Sequence, residues 1–312
     1  MTALPFDLAG LVRAAGRDLY PSWRPRDLYR RFRFWRAANQ HAATLQKLLT
    51  LDVKGSFAKA LRRRPRVLGM FLWPYINTEW GVEQRLEKFA GHYWCAEAHP
   101  RLDLDVDQRA ILVDLGDVRP GLQLVIDRPQ WFLREGELSI NLFLDDQRIY
   151  SIAFSLGRVA GIDVAYVGCI QGRNIEGIDR LYKELTKQLH GARPRDFLIS
   201  SFQLLCEAEN IVRILAVSDA ARHHRHDYFG GKVDRTQSAN YDVIWSDRGG
   251  RPQEPGFYEL PGRLTFKTEC DIPSAKRAQY RHRYALYGRV RQTLAEHRAP
   301  ASTQLVHVDD TC

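Results

Sequence analysis

No run of 18 uncharged apolar residues occurs anywhere in the 312-residue sequence, so no membrane-spanning helix is expected. The N-terminus, MTALPFDLAGLVRAAGRDLY, lacks a basic segment followed by a sustained apolar run, which argues against a secretory leader. Cysteines are few: Cys95, Cys169, Cys206, Cys270 and Cys312 form no C-x-x-C pair, and an odd number cannot all pair within one chain. A reducing, cytoplasmic setting fits that usage, with peripheral membrane contact left open. Also missing are G-x-S-x-G, a P-loop and H-E-x-x-H, so serine hydrolase, P-loop nucleotide and zincin chemistry have no support. There is no internal repeat.

Acids are scarce in one place. Pro21 to Arg66 holds thirteen Lys/Arg against Asp27 and Asp52, a window of +11 in a chain whose net charge is +9. Arg30, Arg31, Arg33, Arg62, Arg63 and Arg64 lead a set that would attract a polyanion such as tRNA, or an anionic membrane. The plain alternative is a row of solvated helix faces. Lys276 and Arg277, in a basic helix near the end, extend the set if the two regions lie side by side.

Hydrophobic content of 45% is enough for a real core. Residues 1–100 carry apolar positions at three- and four-residue spacing and read as a basic helical region. Residues 101–298 read as a sheet-containing core with a C-terminal helix, and 299–312 as a loose tail. Within the core, 121–128, 137–157 and 163–172 alternate with a period of two around the Asp145-Asp146-Gln147 turn, predicting an antiparallel meander. Ile178, Leu181, Tyr182, Leu185 and Leu189 predict a helix ending at Gly191, and Pro194 opens a second. The apolar run 211–219 then predicts a strand parallel to the last one of the meander. NYDVIWSD (241–247 with Asn240) and GFYELPGRLTF (256–266) read as further strands, and 274–297 as a basic helix with Tyr280, Tyr284, Tyr287 and Val290 on one face.

EGELSINLF (135–143), RIYSIAFSL (148–156), LTKQLHGARPRDFL (185–198), AVSDAARH (216–223), YDVIWSDRGG (241–250) and IPSAKRAQYRHRY (272–284) follow one another in an order that resembles the VirK/YbjX family of bacterial proteins. The resemblance covers about residues 25–297. It implies an association with virulence, envelope stress and resistance to cationic peptides, and no agreed reaction. Relatives tend to read Tyr-Asp-x-Phe-Trp where this chain has Tyr241-Asp242-Val243-Ile244-Trp245, and Ser-Lys-Lys-Arg-Ala where it has Ser274-Ala275-Lys276-Arg277-Ala278.

The order of strands and helices also resembles GNAT-type acyltransferases and their aminoacyl-tRNA-using relatives, so the expected fold is α/β (α+β) with a mixed, GNAT-like sheet. In that architecture two parallel strands part to expose backbone to the donor, and the next helix N-terminus faces its phosphate. Gln171, Gly172 and Arg173 would then form a phosphate-binding turn, with His190 and Arg193 as further donor contacts. The competing readings are an ordinary strand-to-helix turn and, for His190, a cationic cap on a helix end. His223, His224, His226 and Asp227 are too compact for a zinc site without a distant fourth ligand, so no metal is expected. His223 or His224, following Asp219 at a strand end, is instead a candidate general base, or part of a solvated loop. Tyr241, Asp242, Trp245 and Glu259 could surround an amine acceptor, or rim a core. These residues together predict transfer of an acyl or aminoacyl group from aminoacyl-tRNA or a coenzyme A thioester to an amine or hydroxyl. A non-catalytic envelope factor binding a membrane or nucleic acid is the competing class.

Overall fold

The computed structural model describes residues 7–229, 239–253 and 255–296, and the backbone of 303–305. Its first third is helical, as the spacing predicts: α1 (Leu8–Leu19), α2 (Pro25–Gln40), α3 (Ala42–Leu51), α4 (Ser56–Arg63), a 3-10 segment (Pro65–Phe71) and α5 (Val82–Ala96). The Asp7 carboxylate accepts from the Gly10 amide at 2.7 Å and caps α1. Pro25 begins α2, where its missing N–H is no loss.

The strands follow: β1 (Gln108–Asp114), β2 (Leu122–Asp127), β3 (Leu138–Leu144), β4 (Gln147–Val159) and β5 (Ile162–Gly172). Helices α6 (Ile178–Gln188) and α7 (Pro194–Ala208) then cross to β6 (Arg213–Val217). The chain continues through α8 (Tyr241–Ser246), β7 (Arg251–Gln253), β8 (Phe257–Leu260), α9 (Arg277–Glu296) and β9 (Thr303–Leu305). These strands make one sheet in the order β7-β8-β6-β5-β4-β3-β2-β1-β9. Only β5 and β6 run parallel, with Val164 opposite Arg213 through Val167 opposite Ala216, so the expected mixed sheet is present.

Adjacent residues of β4 report the two faces. Phe154 packs on Phe202 of α7 with ring centroids 4.9 Å apart, whereas the Ser155 hydroxyl meets that of Tyr75 at 2.6 Å. Helix α7, with α9 against it, therefore covers one side, and α5 with the N-terminal helices covers the other. One continuous apolar core runs from Leu11 to Leu294 through both faces. A charged knot lies within it. Burial pushes the Glu137 carboxyl up, but the Arg64 and Arg128 guanidiniums outweigh that and hold it at about 2. Tyr93 adds a donated hydrogen bond to the same carboxylate at 2.7 Å.

Several sequence expectations need correction. Residues 241–246 are helical, because the Asn240 side chain accepts from the Asp242 and Val243 amides and starts a turn that buries Tyr241, Ile244 and Trp245. Strands β1 and β9 were not foreseen, and the pairing of β9 with β1 places 303–305 in the sheet. The 256–266 run yields only the four residues of β8. Arg64 is 4% exposed and bound to Glu137, so it is no part of a polyanion surface. Helix α9 sits on the α7 side, away from α2, so Lys276 and Arg277 do not extend the N-terminal basic patch.

Candidate functional site

Strands β5 and β6 do part. Their pairing ends at Val167 and Ala216, while β5 continues beside β4 to Gly172. The gap is filled, however, by two aromatics of α8. The Tyr241 hydroxyl accepts from the Ile170 amide and donates to the Ile170 carbonyl, each at 2.9 Å, and the Trp245 indole N–H donates to the Val217 carbonyl at 2.9 Å. Both side chains are buried, and their rings pack edge to face at 5.5 Å. Tyr241 and Trp245 thus satisfy the backbone groups that the parting strands release. Their expected companions are also braces. The Asp242 carboxylate accepts from the Asp219 amide at 2.7 Å, and Glu259 takes a forked pair from Arg213 at 3.0 and 3.1 Å. The four residues expected to hold an acceptor do not line a common cleft.

A trough opens instead where β5 leaves the sheet. Trp131, Ser151, Gln171, Asn174 and Arg173 line a cavity of about 320 Å³, and Lys183, Lys187, Arg193 and Tyr182 line a neighbouring one of about 730 Å³. Tyr150 lines both. Arg148, under the first cavity, is already committed: it bonds Asp127 at 2.7 Å and Asn141, and lies 5.0 Å from the centroids of Trp131 and Phe143. Lys183, Lys187 and Arg193 have no ion pair among the described residues, and Asp179 is the one acid lining their end. Gln171, Arg173 and Arg193 are therefore brought to one surface feature.

Gly172 has a different use from the one expected. A Cβ there would collide with the Tyr182 hydroxyl and the Tyr150 ring, so glycine lets these two aromatics close over the strand. Helix α6 begins only at Ile178, its N-cap is Gly177, and Asp179 already occupies its first turn. Gln171, Gly172 and Arg173 therefore do not sit at that helix end. His190 lies apart: its carbonyl accepts from Arg283 at 3.0 and 2.8 Å, and its ring is 5.4 Å from that of His282. Burial, His282, Arg289 and Arg283 lower its pKa, which disfavours the cationic cap.

One titratable group stands out near the middle of β5. Cys169 points the same way as Gln171, two residues along β5, and over it lies Glu135, whose carbonyl sits against Gly168. Burial pushes the Glu135 carboxyl up to about 7 despite Arg134 and Arg222. The His223 Nε2 is 3.4 Å from it. His223 and His224 lie in a 3-10 turn, and burial with neighbouring cations holds them at about 3 and about 4, so both are neutral and weakly basic near neutral pH. Asp219 is bound by Arg222 at 3.3 Å and by Arg225, and it accepts from the Tyr241 amide. Of these groups Glu135 alone is shifted toward neutral pH, and sequence reasoning passed over it. The adjoining glycines were the available signal: a Cβ at Gly136 or Gly168 would strike backbone.

The basic residues are dispersed. Arg31 donates to the Tyr20 carbonyl at 2.7 Å, Arg30 pairs with Asp27 at 3.5 Å, and Arg63 pairs with Asp105 at 2.5 Å. Arg33 and Arg30 line a cavity with His226 and Tyr228, and Arg62 lies at the end of α4.

Comparison with known proteins gives kinship without a reaction. The chain is 25% identical over 243 residues to the uncharacterized protein YbjX of Escherichia coli (strain K12), covering 75% of this chain and 73% of that one. It is 25% identical over 187 residues to an uncharacterized protein of Haemophilus influenzae, covering 59% and 60%. No solved structure matches. The family model described as "Protein of unknown function (DUF535)" matches residues 21–296, and with YbjX among the relatives this bears out the resemblance read from the motifs: the chain belongs to the DUF535 family.

Proposed function

We propose that the protein transfers an acyl or aminoacyl group from a phosphate-bearing donor, an acyl-coenzyme A or an aminoacyl-tRNA, to an amine or hydroxyl. The observation that carries this reading is the trough: one end has the unpaired Lys183, Lys187 and Arg193, the other has Trp131 and hydrogen-bonding groups with Arg173 at its rim, and Tyr150 lines both. Such a gradient suits a ligand with an anionic end and a less polar reacting end. Because Tyr241 and Trp245 fill the space between β5 and β6, the donor would lie across the end of β5 and not between the strands.

In this scheme the acceptor's lone pair bonds to the acyl carbon, and the carbon–sulfur or carbon–oxygen bond to the donor breaks. Glu135, as carboxylate, takes the acceptor's proton and returns it to the departing sulfur or oxygen. A base with a pKa near the working pH is the efficient one for that step, and His223 beside it fixes the carboxyl's orientation. The test is single-turnover transfer from labelled acetyl-coenzyme A and from labelled aminoacyl-tRNA to a panel of amines. A covalent product is expected, with Glu135→Gln about 100-fold slower and still binding donor. No product from either donor, or full activity in Glu135→Gln, would overturn the proposal.

A further inference from the structure

Helix α2 carries two apolar faces, and only one is used. Phe34 and Ala38 are buried against the body of the protein. Leu28, Phe32 and Trp35 recur at four- and three-residue spacing on a neighbouring face, about 100° round the helix, and are 42%, 55% and 52% exposed, with Tyr29 at 62% beside them. Trp23, just before the helix, is 80% exposed and held by Arg31, whose guanidinium lies 5.1 Å from the indole centroid. Leaving four large aromatics in water within 13 residues is costly for a surface that meets nothing.

The charges around this stripe identify what it meets. Arg24, Arg26, Arg30, Arg31, Arg33 and Arg36 surround it, and Asp27 is the sole acid between Pro21 and Gln40. Asp27 is itself engaged by Ser22 at 2.6 Å and by Arg30 at 3.5 Å. Another side of α2 borders a cavity of about 480 Å³ lined by Arg30, Arg33, His226 and Tyr228, with Asp227 its one acid. Arg33 has no ion pair among the described residues. We infer that α2 docks the protein on an anionic phospholipid surface: Leu28, Phe32, Trp35 and Trp23 enter the boundary between headgroups and acyl chains, and Arg33 and Arg36 along the helix flanks take lipid phosphate.

A helix lying in the plane of a membrane needs this pattern of aromatic and aliphatic residues on one side and arginines along its flanks. Single-stranded RNA could stack on the aromatics, but it would use a groove that follows its backbone, and a leucine in the middle of a convex helix offers no stacking surface. A second copy of the chain would bring a second set of six arginines to the same face, which repel. The inference is independent of the trough, which is formed by other elements.

Flotation with vesicles of equimolar phosphatidylglycerol and phosphatidylcholine, against vesicles of phosphatidylcholine alone, tests it. The full chain should float with the anionic vesicles and remain behind with the neutral ones. Phe32→Ser/Trp35→Ser, both exposed and free to change without disturbing the core, should partition at least about tenfold more weakly at unchanged thermal stability. Arg33→Gln/Arg36→Gln should abolish the preference for phosphatidylglycerol. Equal flotation of the Phe32→Ser/Trp35→Ser protein and the wild type would overturn the inference. So would no flotation with anionic vesicles, loss of RNA binding in place of vesicle binding, or a dimer that these substitutions dissolve.

Discussion

Replacing Tyr241 by Phe removes one oxygen atom and tests what fills the gap between the parting strands. That oxygen serves both polar groups of the Ile170 peptide at 2.9 Å, in a place closed to water. Each lost bond is worth about 1 kcal/mol net, and a buried amide or carbonyl left without a partner costs about 1–3 kcal/mol. The Trp245 bond to Val217 survives, so only Ile170 is stranded, and the expected loss is about 2–4 kcal/mol. For a chain of this size that lowers the melting temperature by roughly 3–6 °C. Urea unfolding followed by tryptophan fluorescence measures it. Coenzyme A affinity should not change, because the donor is placed outside the gap. A Tyr241→Phe protein as stable as the wild type that binds coenzyme A more tightly would refute the reasoning and identify Tyr241 as a gate over a donor slot.

Further outcomes follow from other contacts. His99 is held between Asp163 at 3.1 Å and Glu209 at 3.2 Å, and hydrogen bonds with Cys95, Glu209 and Asp163 raise its pKa to about 10. Its stabilisation is complete below the ordinary value of 6.5 and fades as pH rises through about 10, so the wild type should lose its advantage over His99→Gln across that window in pH-dependent unfolding. Gly168→Ala would drive a methyl into the Glu135 carbonyl, and since backbone cannot swing aside, a loss of about 3 kcal/mol or more is expected in the same unfolding assay. With Glu135 as the base, transfer rates should rise with pH through about 7 and level off above it. A rate independent of pH between about 5 and about 9 would remove Glu135 from the chemistry.

What could be read in advance depended on how local its cause was. Helices α2, α5, α6, α7 and α9 and the β2–β5 meander announce themselves through spacing, proline at the first helical position and the two-residue Asp145-Asp146 turn. Strand β1 was missed because a register shift between Ile111 and Val113 breaks its alternation. The segment 241–246 misled because Tyr, Val, Ile and Trp favour strands, whereas the Asn240 cap and burial at Tyr241, Ile244 and Trp245 make a helix turn. Arg64 looked like surface charge because its partner, Glu137, lies 73 residues away. The raised Glu135 carboxyl was hidden for the same reason: its burial is supplied by β5 and the His223 turn, which no local pattern reveals. Gln171, Arg173 and Arg193 were found together because β5 and the start of α7 both carry recognisable boundaries, although the geometry that joins them is the trough and not a helix N-terminus.

The most direct test of the central claim is calorimetric titration of coenzyme A, and separately of tRNA, into the wild type and into Lys183→Gln/Lys187→Gln/Arg193→Gln. The account predicts saturable binding of at least one of them to the wild type, weakened at least about tenfold by removing the three cations, with the fold unchanged. Binding of equal strength in the two proteins, or no binding of either ligand, would contradict it.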